Sequence, residues 1–177
     1  NISGWKGFFA YCINADPMEL IANIKKIYYH TCTPNVIGGC HINFWSGLGA
    51  YTSARGFDIA THYQRSGIRI LTDPSNKYSL AWPVLVKLGC MAGVDSMHVG
   101  MLGGYYPEGE SEEETLEAIK ICQKYDVIPS LSCGMNPVLA REIKERIGNN
   151  WMASVGGWLH TGDSLIKKVK EMSESLN

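Results

Sequence analysis

The chain has 177 residues, of which 45% are hydrophobic, so it is long and apolar enough to bury the core of one domain. Its formal net charge of −1 provides no basic surface for nucleic acid. It lacks the run of about 18 apolar residues that a membrane span needs, and its first residues lack the parts of a signal peptide. We therefore expect a cytoplasmic protein that binds neither membrane nor nucleic acid.

The six cysteines are scattered along the chain without a Cys-x-x-Cys pair. A zinc ribbon or a dithiol redox motif needs that spacing. Most of the cysteines stand beside apolar residues, which indicates buried thiols in a reducing compartment rather than disulfides.

Segments typical of strands alternate with segments typical of helices along the whole chain. In chain order, the patterns predict a strand over 7–13, a helix over 17–30, a strand over 36–44, a helix over 46–56, a strand over 57–62, a helix over 78–93, a strand over 95–100, a helix over 111–126, a strand over 127–132, a helix over 136–148, a strand over 151–156 and a helix over 162–175.

Several of these helices carry residues that favour helix ends. Asn, Asp and Ser cap helix starts, Pro suits the first turn, and Gly follows helix ends. The predicted positions are Asn14 or Asp16 with Pro17, Gly56, Pro83 with Gly93, Asn136 with Pro137, and Asp163 or Ser164.

Alternating strands and helices predict an α/β fold with a parallel sheet and right-handed crossovers. A doubly wound sheet and part of a (β/α)8 barrel both fit this pattern. No Gly-x-Gly-x-x-Gly motif follows the first strand, which counts against a doubly wound dinucleotide-binding fold. Polar residues and glycines cluster at strand ends, where a barrel has its active site. We therefore predict a partial TIM (β/α)8 barrel of six βα units.

Three strand ends supply candidate functional residues. His62 and His98 each end a strand, and for each of them a hydrogen-bonded core position and a role in substrate binding or proton transfer both stay open. Gly156 and Gly157 precede a helix and could hold a phosphate with backbone N–H groups, or could simply form a tight turn. Of His41 and Asn43, one is expected to face the barrel interior.

Longer motifs resemble one family. The stretches SLAWPVLVKLGCMAGVDSMHVGM, IPSLSCGM and SVGGWLHTG resemble, in order and spacing, the last three barrel strands of the RuBisCO large chain, with its VLAKLxRLAGxD helix, HxHxGT strand, SGG strand and GGG strand. KGFFAYCINAD, CHINFWSGLGAY and FDIATHYQRSG resemble its third to fifth strands. The resemblance implies that residues 1–177 form the C-terminal part of a catalytic barrel, whose N-terminal domain and first two units precede this chain.

The resemblance also assigns roles to individual residues. The family's histidines at the ends of the fifth and sixth barrel strands match His62 and His98, which are therefore implied to be catalytic. Its substrate- and phosphate-binding positions match Ser132, Gly134, Gly156 and Gly157. Its mobile lid loop matches Gly103, Gly104 and Tyr105.

Other positions depart from the family. Tyr105 stands at the lysine of the lid loop, Tyr63 at a phosphate-binding arginine, Ser66 at a further histidine and Met101 at the threonine of HxHxGT. Carboxylation needs a cation near the developing carboxylate, and tyrosine carries no charge at neutral pH. These departures favour a RuBisCO-like protein over a carboxylase and put a bisphosphate substrate in doubt.

The activity implied is that of a magnesium-dependent enolase or isomerase acting on a phosphorylated sugar or a ketone derived from one. The family's magnesium ligands lie on the second barrel strand, so none is expected in this chain. A homodimer or larger oligomer is also implied. A true archaeal-type ribulose-bisphosphate carboxylase and an inactive barrel with a regulatory or assembly role stay open as alternatives.

Overall fold

The computed structural model describes residues 9–13, 17–30, 37–57, 60–64, 69–104, 110–162 and 164–177. The strands are β1 (Phe9–Ile13), β2 (Ile37–Asn43), β3 (Ala60–Gln64), β4 (Ser96–Gly100), β5 (Ile128–Leu131) and β6 (Met152–Ala153). The helices are α1 (Pro17–His30), α2 (Gly49–Arg55), α3 (Arg69–Thr72), α4 (Trp82–Met91), α5 (Glu112–Lys124), α6 (Pro137–Ile147) and α7 (Leu165–Leu176). Short 3₁₀ turns cover Phe44–Ser46 and Gly157–His160.

The strand order decides between the two architectures that the sequence leaves open. The six strands form one sheet in the order of the chain, and each pairs in parallel with the next. A doubly wound sheet reverses its strand order at a switch point, whereas neighbouring barrel strands follow one another along the chain. The prediction of a partial TIM barrel with six βα units is therefore confirmed.

One face of the sheet packs against the helices and forms the core. Tyr63 of β3 is fully buried and stacks on Tyr51 of α2, with ring centroids 5.5 Å apart. Met97 of β4 is also fully buried, and a Cβ added to Gly89 of α4 would overlap its methyl group. Because side chains alternate across a strand, His62, next to Tyr63, points to the opposite, inner face of the sheet.

Most of the helix ends form as their residues predict, with some corrections. Helix α1 begins at Pro17, and the Asn136 side chain caps α6 by accepting from the backbone N–H groups of Val138 and Leu139. Gly93 follows α4 with a φ of 87°. Ser164 stands at the N-cap position of α7, as predicted, but its side chain makes no capping hydrogen bond.

Gly56 follows α2 with a φ of −61°, so its position does not require glycine. Asn14, Asp16 and Asp163 lie outside the described residues.

Several element boundaries differ from the sequence prediction. Strand β3 begins at Ala60 and continues to Gln64. Phe57, the predicted start of this strand, belongs to the turn after α2 and packs on the core. Helix α4 begins at Trp82, after a loop in which Asp73 accepts from the backbone N–H and hydroxyl of Ser75. Strand β6 has two residues instead of six, and the short helix α3 was not predicted.

Three of the cysteines that the structure describes are buried, as predicted. Cys40, Cys90 and Cys122 are buried free thiols, and Cys133 is a half-buried one. The side chain of Cys12 is not described, and Cys32 lies outside the described residues. Among the helices that the structure describes, none is long and apolar enough to cross a membrane.

Candidate functional site

Polar side chains of neighbouring strands meet on the inner face of the sheet. The register pairs His41 with His62, His62 with Ser96, and His98 with Ser130. Register partners in a parallel sheet point to the same side, so these residues form one continuous group. With Ser132, which follows β5, we call them the inner band: His41, His62, Ser96, His98, Ser130 and Ser132.

Direct contacts hold the two predicted histidines in place. His62 Nδ1 and Ser96 Oγ are 2.8 Å apart, and the ring of His62 stacks on that of His41 with centroids separated by 4.3 Å. His98 Nε2 and Ser132 Oγ form a hydrogen bond. The structure thus joins His98 to Ser132, two residues that the sequence assigned to one site from separate motifs.

The surroundings of two inner-band histidines, His62 and His41, favour their neutral forms. Burial, together with the smaller effect of the neighbouring rings of His41 and His98, lowers the pKa of His62 to about 3. Burial also lowers the pKa of His41. A neutral imidazole has one N–H donor and one nitrogen acceptor, so it can orient a substrate oxygen or accept a proton.

The glycine loop after β4 is anchored at its start. Gly103 has a φ of 71°, which favours glycine. A Cβ at Gly104 would lie 2.5 Å from the carbonyl oxygen of Cys133 and 2.5 Å from Met101 Cγ, so this glycine allows the loop to touch the segment after β5. The predicted lid residue Tyr105 lies outside the described residues.

Two residues of the segment after β5 have positive φ angles, which glycine adopts most easily. Gly134 has a φ of 91°, and Cys133 has a φ of 76°, a left-handed conformation that non-glycine residues adopt at a cost. The RuBisCO pattern SGG has glycine at both of these positions. Cys133 therefore occupies a conformation that suits the family's residue better than its own.

The loop after β6 contains the predicted phosphate residues at the same edge of the sheet. The Ser130 and Ser154 hydroxyls are 2.7 Å apart, and Ser154 stands two residues before Gly156. Gly156 and Gly157 are exposed, and a Cβ at either would meet no atom within 4 Å. Packing among the described residues therefore does not explain these glycines, and a ligand has room to approach their backbone.

Two of the departures from the family can be placed. The side chain of Tyr63 is buried on the helix side of the sheet, where it cannot contact a ligand on the inner face. Met101 is also fully buried. Ser66 lies outside the described residues.

Sequence reasoning missed part of the site. Ser96 stands two residues before His98 and Ser130 two before Ser132, and a period of two along a strand indicates a shared face. That signal could have identified both serines. The stacking of His41 on His62 depends on the register between strands, which the sequence does not show. By the same period of two, His41 and Asn43 share a strand face, so the expectation that only one of them faces inward was wrong.

The described residues contain no group of three or more His, Cys, Asp or Glu side chains placed to hold a metal ion. The histidines of the inner band are accompanied by serine hydroxyls, whereas magnesium prefers carboxylate oxygens and water. The inner band therefore does not fit a magnesium site.

No protein-family model and no curated protein matches the chain. Solved structures do. A rubisco-like protein from Burkholderia fungorum aligns at a TM-score of 0.78 and 20% identity, over 98% of this chain and 44% of that one.

A rubisco-like protein from Alicyclobacillus acidocaldarius aligns at a TM-score of 0.81 and 16% identity, over 98% and 44% of the two chains. A dimeric archaeal Rubisco from Hyperthermus butylicus aligns at a TM-score of 0.75 and 22% identity, over 94% of this chain and 42% of that one. This chain spans less than half the length of each of these proteins. It has the fold of a segment of the RuBisCO-type barrel.

Proposed function

We propose that this chain is the C-terminal part of the catalytic barrel of a RuBisCO-like protein, an enolase or isomerase of a phosphorylated sugar or a ketone derived from one. The observation that carries the proposal is that His62, His98 and Ser132 lie on one face of the sheet. His62 is hydrogen-bonded to Ser96, and His98 is hydrogen-bonded to Ser132. An N-terminal domain and two further units would complete the protein, which we place in the cytoplasm.

Enolisation removes a proton from the carbon beside a carbonyl group, and the electron pair of the broken C–H bond moves into the enediolate. A neutral imidazole can accept that proton, and it does so best when its pKa lies near the working pH, so the pKa of about 3 suits His62 better to orienting a substrate oxygen. His62 has its Nδ1 engaged with Ser96, so its Nε2 is the nitrogen offered to the substrate. His98, held by Ser132, is placed beside it to orient a substrate oxygen or to move a proton.

The phosphate of the substrate would bind at the loop after β6. Exposed backbone at Gly156 and Gly157, with open space where side chains would stand, supports that role. Ser132 and Gly134 extend the same edge of the sheet towards His98. One phosphate has a binding position here, while the buried Tyr63 offers nothing to a second.

Magnesium enters the proposal by resemblance only. It would stabilise the negative charge of the enediolate as a Lewis acid, and its ligands would come from a segment before this chain. Assembly is likewise proposed by resemblance: a homodimer or larger oligomer, in line with the dimeric archaeal Rubisco among the structural neighbours.

Titration calorimetry of the full-length protein with sugar phosphates, with and without magnesium, tests the proposal. We expect magnesium-dependent heat of binding with at least one phosphorylated ketose. An absence of heat with every sugar phosphate tried would support an inactive barrel, which the replacement of a phosphate ligand by the core residue Tyr63 also favours. Incorporation of labelled carbon dioxide into ribulose bisphosphate would instead identify a true carboxylase.

A further inference from the structure

Helix α7 carries a lysine whose ammonium group is buried under the loop after β6. Lys168 is only 6% exposed, whereas Lys167 and Lys170 on the same helix are exposed. Its Nζ donates to the Trp158 carbonyl at 2.5 Å, to the Thr161 hydroxyl at 2.9 Å and to the Thr161 carbonyl. It also lies 4.8 Å from the centre of the Trp158 ring.

These three acceptors account for all three N–H bonds of the ammonium group, and none of them carries a charge. Among the described residues, no carboxylate pairs with Lys168. Burying a charge costs free energy unless an opposite charge or strong hydrogen bonds compensate it. A neutral side chain would fill the same space without that cost, so the positive charge itself calls for an explanation.

The position of Lys168 behind the loop after β6 explains why a positive charge is buried there. Trp158 directly follows Gly157, and Trp158 and Thr161 bracket most of the 3₁₀ turn Gly157–His160. By binding both carbonyls, Lys168 fixes the shape of the loop whose exposed backbone begins at Gly156. It also places a positive charge, shielded from water, directly behind that loop, where it is screened less than a surface charge.

We propose that Lys168 is a positioning residue for an anion at Gly156–Gly157: it holds the loop in its binding shape and adds the charge that selects a phosphate group. This inference rests on the phosphate site of the proposed function. It assigns anion selectivity to a buried residue behind the site rather than to an exposed side chain within it.

The test is to titrate the full-length protein with inorganic phosphate at two salt concentrations and to measure the heat of binding by calorimetry. We expect Lys168→Gln to weaken binding about tenfold at both salt concentrations, because salt screens a buried charge little. Lys168→Arg should restore most of the affinity. Lys170→Gln, which removes an exposed charge from the same helix, is the matched control and should bind as the wild type does.

Thr161→Val gives a second variant, should Lys168→Gln fail to fold. It removes one acceptor and keeps the charge, and we expect affinity to fall about threefold through the loss of one hydrogen bond. Wild-type affinity in folded Lys168→Gln or in Thr161→Val would overturn the role of Lys168 while leaving the phosphate site intact. If the wild-type protein itself fails to bind phosphate, both the site and the role of Lys168 are refuted.

Discussion

The buried histidine His62 should make the stability of the protein depend on pH. In the folded chain the pKa of His62 is lowered to about 3, first by burial and then by the rings of His41 and His98. In the unfolded chain it returns to its ordinary value of about 6.5. Below that pH the unfolded state binds a proton that the folded state does not, so stability falls as pH falls.

The size of the effect follows from the two pKa values. Each pH unit between about 6.5 and 3 removes about 1.4 kcal/mol of stability through this group. Between about pH 7.5 and 5.0, the loss from His62 alone is about 2 kcal/mol, while above about pH 7 its contribution is constant. His62 is only 7% exposed, so solvent screening reduces the effect little.

The assay is chemical denaturation of the wild type and of His62→Gln at both pH values. The substitution removes the titrating group, so the wild type should lose about 2 kcal/mol more than the variant does on acidification. His160→Gln, at an exposed histidine, is the control and should behave as the wild type. Equal pH dependence in the wild type and His62→Gln would refute a buried neutral imidazole at this position.

Two further substitutions test the backbone of the site. Cys133→Gly should stabilise the protein by about 1 kcal/mol, because it relieves a left-handed backbone, and a lower midpoint of thermal unfolding would contradict that reasoning. Gly104→Ala should destabilise it by about 1–3 kcal/mol, because the new methyl group would meet the carbonyl of Cys133. Gly157→Ala, whose methyl group would meet open space, is the matched control for stability and should unfold with the wild-type midpoint.

The sequence predicts the architecture well because the fold depends on patterns that repeat locally. Apolar spacing and capping residues identify the helices, as with Asn136 and Pro137 at the start of α6. The Ser111 side chain caps α5 through reciprocal bonds with Glu114, each 3.1 Å long. Boundaries were less certain where apolar residues continue beyond an element, as at Phe57, which joins the core from a turn.

The candidate site was predicted in part. The sequence names His62, His98 and Ser132 because each stands at or near a predicted strand end and matches a family motif, and the structure brings them to one face of the sheet. The contacts of His41 and Ser96 with His62 were not predicted, because they depend on the register of β2, β3 and β4. Register arises from pairing between distant segments, so it cannot be deduced from any one of them.

Lys168 shows a second limit of sequence reasoning. It stands in a run with Lys167 and Lys170, and such a run ordinarily indicates a solvated helix face. Helical geometry turns Lys168 towards the loop after β6, where the Trp158 carbonyl and the Thr161 hydroxyl accept hydrogen bonds from its ammonium group. The exceptional member of the run can be identified only once the helix has been placed against that loop.

Hydrogen exchange next to the substrate carbonyl tests the proposed enolisation most directly. The full-length protein would be incubated in deuterated water with magnesium and a phosphorylated ketose, and loss of the proton signal would be followed by NMR. The wild type should exchange this proton, and His98→Gln, with its fold intact, should do so at least about tenfold more slowly. No exchange by the wild type with any phosphorylated ketose, or an unchanged rate in His98→Gln, would contradict the proposed role of the inner band.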